Sequence, residues 1–459
     1  MKRTPPPSIV RLEAYLDGQR LNARHWAAFI LIALVLLADG MDVTIVSHIF
    51  PSLIEEWGVS VGGGIATLVS AGFIAMGLGA LVAGRASDRW GRKPVLVATT
   101  LLFGAGTVLG ATAGGFLAFS LWRLLACLGM GAAMATGNTL LADLIPPRRR
   151  SALIATAYAF VGLGTTVGAT LAGTLIPATG WQGLLVVGGG IPVAVAIALG
   201  IVVPEASAFL AARGDRVGAM RALIRIDPTA PAGDLDYTIN RPQSETGSWR
   251  QLFSRRYAAT TVLLWCFGFF SLGTQLMVVQ YLPTMLQLPD PGLDTAQSST
   301  IVGLYGLTST ISGLLFGALL IRASRFIVIG ITLIASAIVV LLLALAPSPG
   351  YGALLILLSI TGFILPAACG PTRSVLAAAA YPSEIRGTGV GSTEFSGRIG
   401  SAASGAVGGV LIGAGLGLGG FFLAVLVPIT VLLATLVGLG VGAQNTAADP
   451  KSTPIAMRS

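Results

Sequence analysis

The sequence predicts an all-α integral membrane protein whose twelve transmembrane helices form two pseudo-symmetric six-helix halves. Three observations lead there. Of 459 residues, 54% are hydrophobic and only 10% are charged, against roughly 25% charged in a soluble domain, so most of the surface must face lipid. The apolar residues fall in runs of about 20 or more, the length that crosses a bilayer. The basic residues occupy every second loop, the pattern that orients a chain in a membrane.

In chain order, apolar runs place spans 1 to 6 near 26–50, 64–83, 94–113, 115–142, 151–178 and 182–203. Spans 7 to 12 lie near 257–283, 297–320, 326–346, 351–380, 387–413 and 415–441. The domains are then a tail (1–25), a six-helix half (26–203), a polar central loop (204–256), a second half (257–441) and a tail (442–459). With the N-terminus inside, lysine and arginine number five in the first tail, four after span 2, three after span 4 and eight after span 6. Two more follow span 8, one follows span 10 and two lie in the last tail. That is 25 of the 28; the outer loops hold none, and Arg123, Arg373 and Arg398 fall within spans. One span more or fewer would put half of these charges on the wrong side, so both termini are expected in the cytoplasm.

The net charge of +9 therefore records orientation. On the inner side stand 25 basic and 12 acidic residues, outside stand Glu55, Glu56, Asp290 and Asp294, and three of each sign lie in the membrane. Nothing in this balance calls for a nucleic-acid partner. Cys127, Cys266 and Cys369 lie in apolar stretches without CxxC spacing, and His25 and His48 are the only histidines. That argues against a disulfide framework, a zinc site or a haem. No nucleophile-base constellation, metal cluster or nucleotide fingerprint appears, so neither an enzyme nor a cofactor is expected.

The halves also repeat each other. Leu144-Ile145-Pro146 through Arg150-Ser151 matches Ala380-Tyr381-Pro382 through Arg386-Gly387 at an offset of 236 residues. Gly84-x-x-x-Asp88-Arg89 matches Gly317-x-x-x-Ile321-Arg322 at 233, with Ile321 in place of the acid. Paired halves of this kind are expected to hold a substrate near the bilayer midplane and to work by alternating access.

Inside the spans, Asp39 and Asp42 lie at i and i+3 on one face of span 1. A charge at membrane depth costs about 2.5–3.5 kcal/mol on insertion scales, so two on one face require a reason. Either they carry protons, since close like charges hold one carboxyl near neutrality, or both bond a buried partner such as an arginine. Glu394 is the third acid, opposite Arg123, Arg373 and Arg398. Three acids and three bases cancel, so an anion can enter with a proton without accumulating charge.

Arg123 offers a permanently charged bidentate fork for a carboxylate. Trp122, Trp265, Phe269, Phe270 and Tyr281 offer flat surfaces to an aromatic ring, or they simply pack. Glu394 and Arg398, at i and i+4, suit a pair within one helix. Arg373 suits a second carboxylate or a phenolic oxygen. Gly162 and Gly164, like the glycines of 413–420, lie in or beside helices with no strand before them, so they read as packing rather than phosphate loops. Gly405, Gly409 and Gly413 repeat at i+4, as helices in close contact require. The 206–226 stretch, mixing Phe209, Leu210, Val217 and Met220 with Arg213, Arg216 and Arg221, reads as a short helix on the cytoplasmic membrane surface.

The loop Gly84-Arg85-Ala86-Ser87-Asp88-Arg89-Trp90-Gly91-Arg92-Lys93-Pro94 joins an acid and a fork of bases at two helix ends, with Gly84 expected to admit close backbone approach. It resembles the signature loop of the major facilitator superfamily. Asp39-Gly40-Met41-Asp42, Arg123 leading into Gly129-Met130-Gly131, Pro204-Glu205, and Tyr381-Pro382 through Arg386-Gly387 with Gly397-Arg398 resemble its aromatic acid:proton symporter family. The resemblance implies the major facilitator fold in a bacterial inner membrane and proton-driven import of a benzoate-, hydroxybenzoate-, phenylpropanoate- or lignin-derived acid by a monomer. It implicates Asp39 and Asp42 in proton coupling, and Arg123, Arg386 and Arg398 in transport or substrate handling; Glu394 and Arg373 are polar where the family pattern has small or apolar residues, and they join the coupling and substrate candidates only through their charge within the spans. Gly84, Asp88, Arg89, Gly91, Arg92, Asp143 and Arg386 would form the cytoplasmic gate. Cys127, standing where the family usually has glycine, bears on which substrate is carried. An exporter exchanging protons for a drug or metabolite, and a receptor that binds an aromatic ligand without moving it, are the alternatives. Against the first, the 162–173 stretch of span 5 has glycines but not the proline usual in such exporters; the second would need a signalling domain, and the polar loop 204–256 and the tails are too short for one.

Overall fold

The computed structural model describes residues 10–231, 235–237, 249–346, 349–370 and 372–448. The outermost parts of both tails and much of 232–248 lie outside the described residues. Ten helices among those described are long and apolar enough to cross a membrane. Two physical facts reconcile ten with the expected twelve. Spans 5 and 6 run on as one helix, Pro147–Val202, bent where Gly180 adopts φ 74° and ψ 178°. Span 11, Ser383–Gly413, is as long as the others, but serine, threonine and the charged Glu394 and Arg398 dilute its apolarity.

The remaining spans are Ala23–Trp57, Ala66–Trp90, Arg92–Gly110, Phe116–Leu144, Ala258–Gln287, Thr295–Arg322, Arg325–Leu345 and Leu418–Ala448. Span 2 is preceded by a wide π turn, Val61–Ile65. Span 10 is discontinuous, Tyr351–Cys369 and Thr372–Ala380. Its break follows Pro366, and Gly370 closes the first piece in a non-helical conformation (φ −72°, ψ −94°). Broken backbone at membrane depth leaves carbonyls without partners, and these must be satisfied locally.

The chain packs as two units, Met1–Val46 with Ala75–Gln243, and Ser47–Ile74 with Ser244–Ser459. The segment 47–74 thus belongs with the second unit rather than with the first predicted half. In the first unit glycines bring helices into backbone contact. A methyl on Gly40 would overlap the Val161 carbonyl oxygen, and one on Gly164 would overlap that of Leu37, so spans 1 and 5 touch along their backbones. Gly79 and Gly131 do the same for spans 2 and 4. In the second unit, the row Gly405, Gly409 and Gly413 lies against Val69 and Ser70, against Ala66, and against Gly62. The packing roles expected of Gly164 and of this row are therefore observed. Small residues let helices approach closely where lipid offers no hydrophobic drive for association.

The 206–226 stretch differs from expectation. It forms two helices, Ser207–Ala212 and Arg216–Ile226, separated at Gly214, with Asp215 accepting from the Gly218 backbone N–H at 2.8 Å. Its inward face packs against protein: Ala211, Ala219 and Leu223 meet Leu12, from the tail helix Leu12–Gly18, and Tyr237. Phe209 is likewise buried, while Val217 and Ile224 are exposed. Tail and loop are joined again at Asp227, which accepts from Tyr15 (2.7 Å), Gln19 (3.0 Å) and the Thr229 hydroxyl (2.7 Å).

Burial works against the Asp227 charge, but the hydrogen bonds from Thr229, Gln19 and Tyr15 outweigh it and hold this carboxyl at about 2, below its ordinary 3.8. Tyr15 is pushed up to about 12, by burial and then by Asp227. A depressed carboxyl stabilises the folded form above its unfolded pKa, and that contribution is lost as pH falls from about 4 toward 2. Tryptic cleavage at Arg20 should accelerate roughly tenfold in Asp227→Asn at neutral pH, as loss of a charge-assisted hydrogen bond implies. Equal cleavage of both proteins would show that these bonds do not hold the tail.

Candidate functional site

Span 1 crosses the first unit with Asp42 only 1% exposed. One of its oxygens pairs with the Arg123 guanidinium from span 4, and the other accepts from Thr107 of span 3 at 3.0 Å. Asp39, also buried, acts electrostatically on the same guanidinium, as does Cys127 one turn along span 4. Gly40 makes this arrangement possible, because its missing side chain lets span 1 lie against span 5 with both carboxylates turned from that contact. Two charges removed from water in this way hold together only as a hydrogen-bonded pair; stripping one partner typically destabilises by about 3–5 kcal/mol. Asp42 therefore has the buried arginine partner that was one of its two expected explanations. Arg123 is engaged by Asp42 in this conformation.

In the second unit Arg373 donates from Nε to Glu394 at 3.0 Å, and Ser374 donates to the other Glu394 oxygen. Arg373 also donates to the carbonyls of Gly370 (2.7 Å) and Cys369 (3.2 Å), the groups left open by the break in span 10. The fork thus closes a helix end and ties it to span 11, which accounts for this arginine without a second substrate carboxylate. Arg398 acts on Glu394 electrostatically, while the hydrogen bonds to that carboxylate come from Arg373 and Ser374 on another helix. The electrostatic pairing expected within span 11 is therefore present, joined by a second partner from another helix.

The aromatic residues divide. Tyr281 is fully buried: its hydroxyl donates to the Gly405 carbonyl, and its ring fills the notch left by Gly408 and Gly409. Trp265 donates from its indole N–H to Ser392 at 3.0 Å and meets Phe253 edge to face. Both are explained by packing. Phe269 and Phe270 meet edge to face at 5.1 Å and are half-buried, as is Trp122 beside Arg123. Of the expected ring surfaces, Trp122 alone shares the first unit with Arg123.

Of the residues expected at the gate, Arg89, Gly91, Arg92 and Asp143 form one network with Glu205, Phe209 and Arg213. Gly91 has φ +105°, a conformation costly for other residues, and a Cβ there would collide with Glu205. Glu205 accepts from the Lys93 backbone N–H at 3.1 Å at the start of span 3, and Arg92 pairs with Asp143 of span 4. Arg92 and Arg213 both lie over the Phe209 ring, and Arg213 donates to the Arg89 carbonyl at 2.7 Å. Burial pushes the Glu205 carboxyl up from its ordinary value, against backbone hydrogen bonds from Ala206 and Lys93. Gly84 departs from expectation: nothing lies near where its Cβ would be, because it is exposed, and close approach occurs at Gly79 and Gly131 instead. Asp88 is exposed, and Arg386, in the second unit, bonds its own turn through the Tyr381 carbonyl at 3.4 Å.

The Major Facilitator Superfamily model matches residues 32–405. The chain belongs to the major facilitator superfamily. It is 31% identical to the gallate transporter of Pseudomonas putida, over 91% of this chain and 92% of that one. It is also 31% identical to the 4-hydroxybenzoate transporter PcaK of Pseudomonas aeruginosa, over 89% and 91%. The inward-open xylose transporter XylE of Escherichia coli shares the fold, with a TM-score of 0.69 at 16% identity over 91% of this chain and 95% of that one. The protein is therefore a multi-pass membrane transporter and not an enzyme.

Three contributors to this major facilitator site carried no signal of their own in the sequence. Thr107 and Ser374 are ordinary residues of apolar helices until folding brings them to Asp42 and Glu394. Glu205 was noticeable only beside Pro204, yet it accepts from the Lys93 backbone N–H and lies against Gly91. Two substitutions separate structure from transport here. Gly91→Ala should lower stability by about 1–3 kcal/mol, the usual cost of a strained backbone plus displacement of Glu205, read as the unfolding midpoint in detergent. Glu394→Gln should lower it by about 1–2 kcal/mol, through weaker bonds to Arg373 and Ser374. An unchanged midpoint in either would show that the contact does not support the fold.

Proposed function

We propose that this transporter imports an aromatic carboxylate together with protons, by alternating access, with Asp42 as the coupling acid and Arg123 as the carboxylate clamp. The observation that carries this reading is their mutual engagement in a buried site. While Asp42 is ionised, it neutralises Arg123 and occupies its fork. A proton on Asp42 withdraws its charge from the fork, and a substrate carboxylate that takes its place returns Asp39, Asp42, Arg123 and cargo to the net charge they had before. Proton and anion then favour each other's binding, which is the requirement for symport. Asp39, acting on the same guanidinium, adds to the pull on the proton.

The names of the relatives supply the substrate class, since gallate and 4-hydroxybenzoate are ring carboxylates. Trp122 is the aromatic surface nearest in sequence to the clamp. The loop charges support a bacterial inner-membrane protein with both termini in the cytoplasm. It works as a monomer and is driven by the proton gradient without a cofactor.

In liposomes with an imposed inward proton gradient, wild-type protein should accumulate 4-hydroxybenzoate or a related monoacid, and collapsing the gradient should stop it. Asp42→Asn should reduce gradient-driven accumulation at least tenfold while sparing exchange of labelled for unlabelled substrate. Arg123→Lys should raise KM at least tenfold despite keeping the charge, because an ammonium lacks the bidentate fork. Accumulation that survives loss of the gradient, or normal accumulation by Asp42→Asn, would overturn the symport reading.

A further inference from the structure

The Thr107 hydroxyl lies within hydrogen-bond reach of two acceptors, the Asp42 carboxylate at 3.0 Å and the Phe103 carbonyl at 3.1 Å. It has one proton to donate. It is 4% exposed, and so buried. Among the described residues, the titratable groups acting together with Asp42 are Arg123 and Cys127 from span 4 and Asp39 from its own helix. Span 5 meets this stretch with Gly164 and Gly168, and span 6 meets it with Gly188 against Ile45; these carry no charge. Thr107 is the neutral hydroxyl in the set, and its proton can turn without leaving its oxygen.

We infer that Thr107 is a positioning residue for proton coupling, whose hydroxyl switches partner with the charge on Asp42. This rests on the reading of Asp42 as the coupling acid. When Asp42 is ionised, Thr107 donates to its Oδ1. When a proton binds that oxygen, the new O–H donates to Thr107 Oγ1, and the threonine proton rotates about the Cβ–Oγ1 bond to the Phe103 carbonyl. That carbonyl has a second lone pair to spare beside its helical hydrogen bond. Only the bond between Asp42 and the incoming proton forms, and no other covalent bond changes. In both charge states Oδ1 and the Thr107 hydroxyl then keep a hydrogen-bond partner at constant backbone geometry, so neither state strands either group. A site with a donor alone would favour the ionised form and resist loading, whereas one with an acceptor alone would resist release.

The ionised state gains more from the hydroxyl than the neutral one, because its bond is charge-assisted. Removing the hydroxyl should therefore move proton loading to higher pH. In proteoliposomes taking up 4-hydroxybenzoate, the external pH of half-maximal uptake should rise by about 1 pH unit in Thr107→Val, the shift that loss of one such bond implies. Thr107→Ser, which keeps the hydroxyl, should return it to the wild-type value, and exchange at saturating substrate should remain in both. Should the valine variant fail to fold, Thr107→Ala carries the same expectation. A wild-type pH profile in the variant without the hydroxyl, or a shift that serine fails to restore, would overturn the inference while leaving Asp42 in its role. Normal accumulation by Asp42→Asn, measured alongside, would instead remove the reading on which it rests.

Discussion

The structure of this transporter is organised around one constraint, that a charge taken into lipid must meet an opposite charge or a full set of hydrogen bonds. Asp42 and Arg123 meet it by pairing with each other, with Thr107 completing the carboxylate. Arg373 and Glu394 meet it in the second unit, with Ser374 and two open carbonyls as their complement. Each arrangement joins residues from different helices, so each requires those helices to stand close. The glycine contacts satisfy that requirement: Gly40 and Gly164 set span 1 against span 5, and Gly129 sets span 4 against span 3, the neighbours that carry Arg123 and Thr107. The abundance of glycine and the scarcity of charge are two sides of the same economy of packing.

The two ionic clusters nevertheless do different work. Arg373 spends its fork on the ends of a broken helix, and Glu394 fixes it there, so its donors already have fixed targets. Arg123, among the described residues, directs its fork to a carboxylate, that of Asp42. A bond to a titratable group can be exchanged for a bond to another carboxylate, whereas a bond to a helix end cannot be released without exposing backbone to lipid. This difference in partners, rather than any difference between the arginines themselves, separates a clamp from a brace.

Much of the fold was legible because the bilayer dictates it. Length, apolar runs and the alternation of basic loops follow from insertion energetics and need no tertiary information, and they led to twelve spans. The merging of spans 5 and 6 was hidden because a bend at Gly180 and a loop look alike in composition. The site was legible only in part. Asp39, Asp42 and Arg123 stand out because charges are rare in apolar helices, and Gly91 stands out through its motif. The second partner of Glu394 was not legible, because spacing within a helix is visible in sequence while the approach of Arg373 depends on the break at Gly370. Tyr281 and Trp265 resembled ring-binding surfaces because aromatic residues look alike whether they face a ligand, lipid or a glycine notch.

The six ionisable residues within the spans cancel, but they are divided unevenly. Asp39, Asp42 and Arg123 belong to the first unit, and Glu394, Arg373 and Arg398 to the second. With all six ionised, the first set has one acid too many and the second one base too many. Neutrality is therefore a property of the chain as a whole, and a cargo of one anion and one proton preserves it. An anion carried alone would leave a net negative charge in a low-dielectric interior, where Coulomb energies are several times those in water. A proton carried alone would leave a positive one. The charge inventory by itself thus makes the paired cargo the electrostatically undemanding one, whichever aromatic acid fills the site.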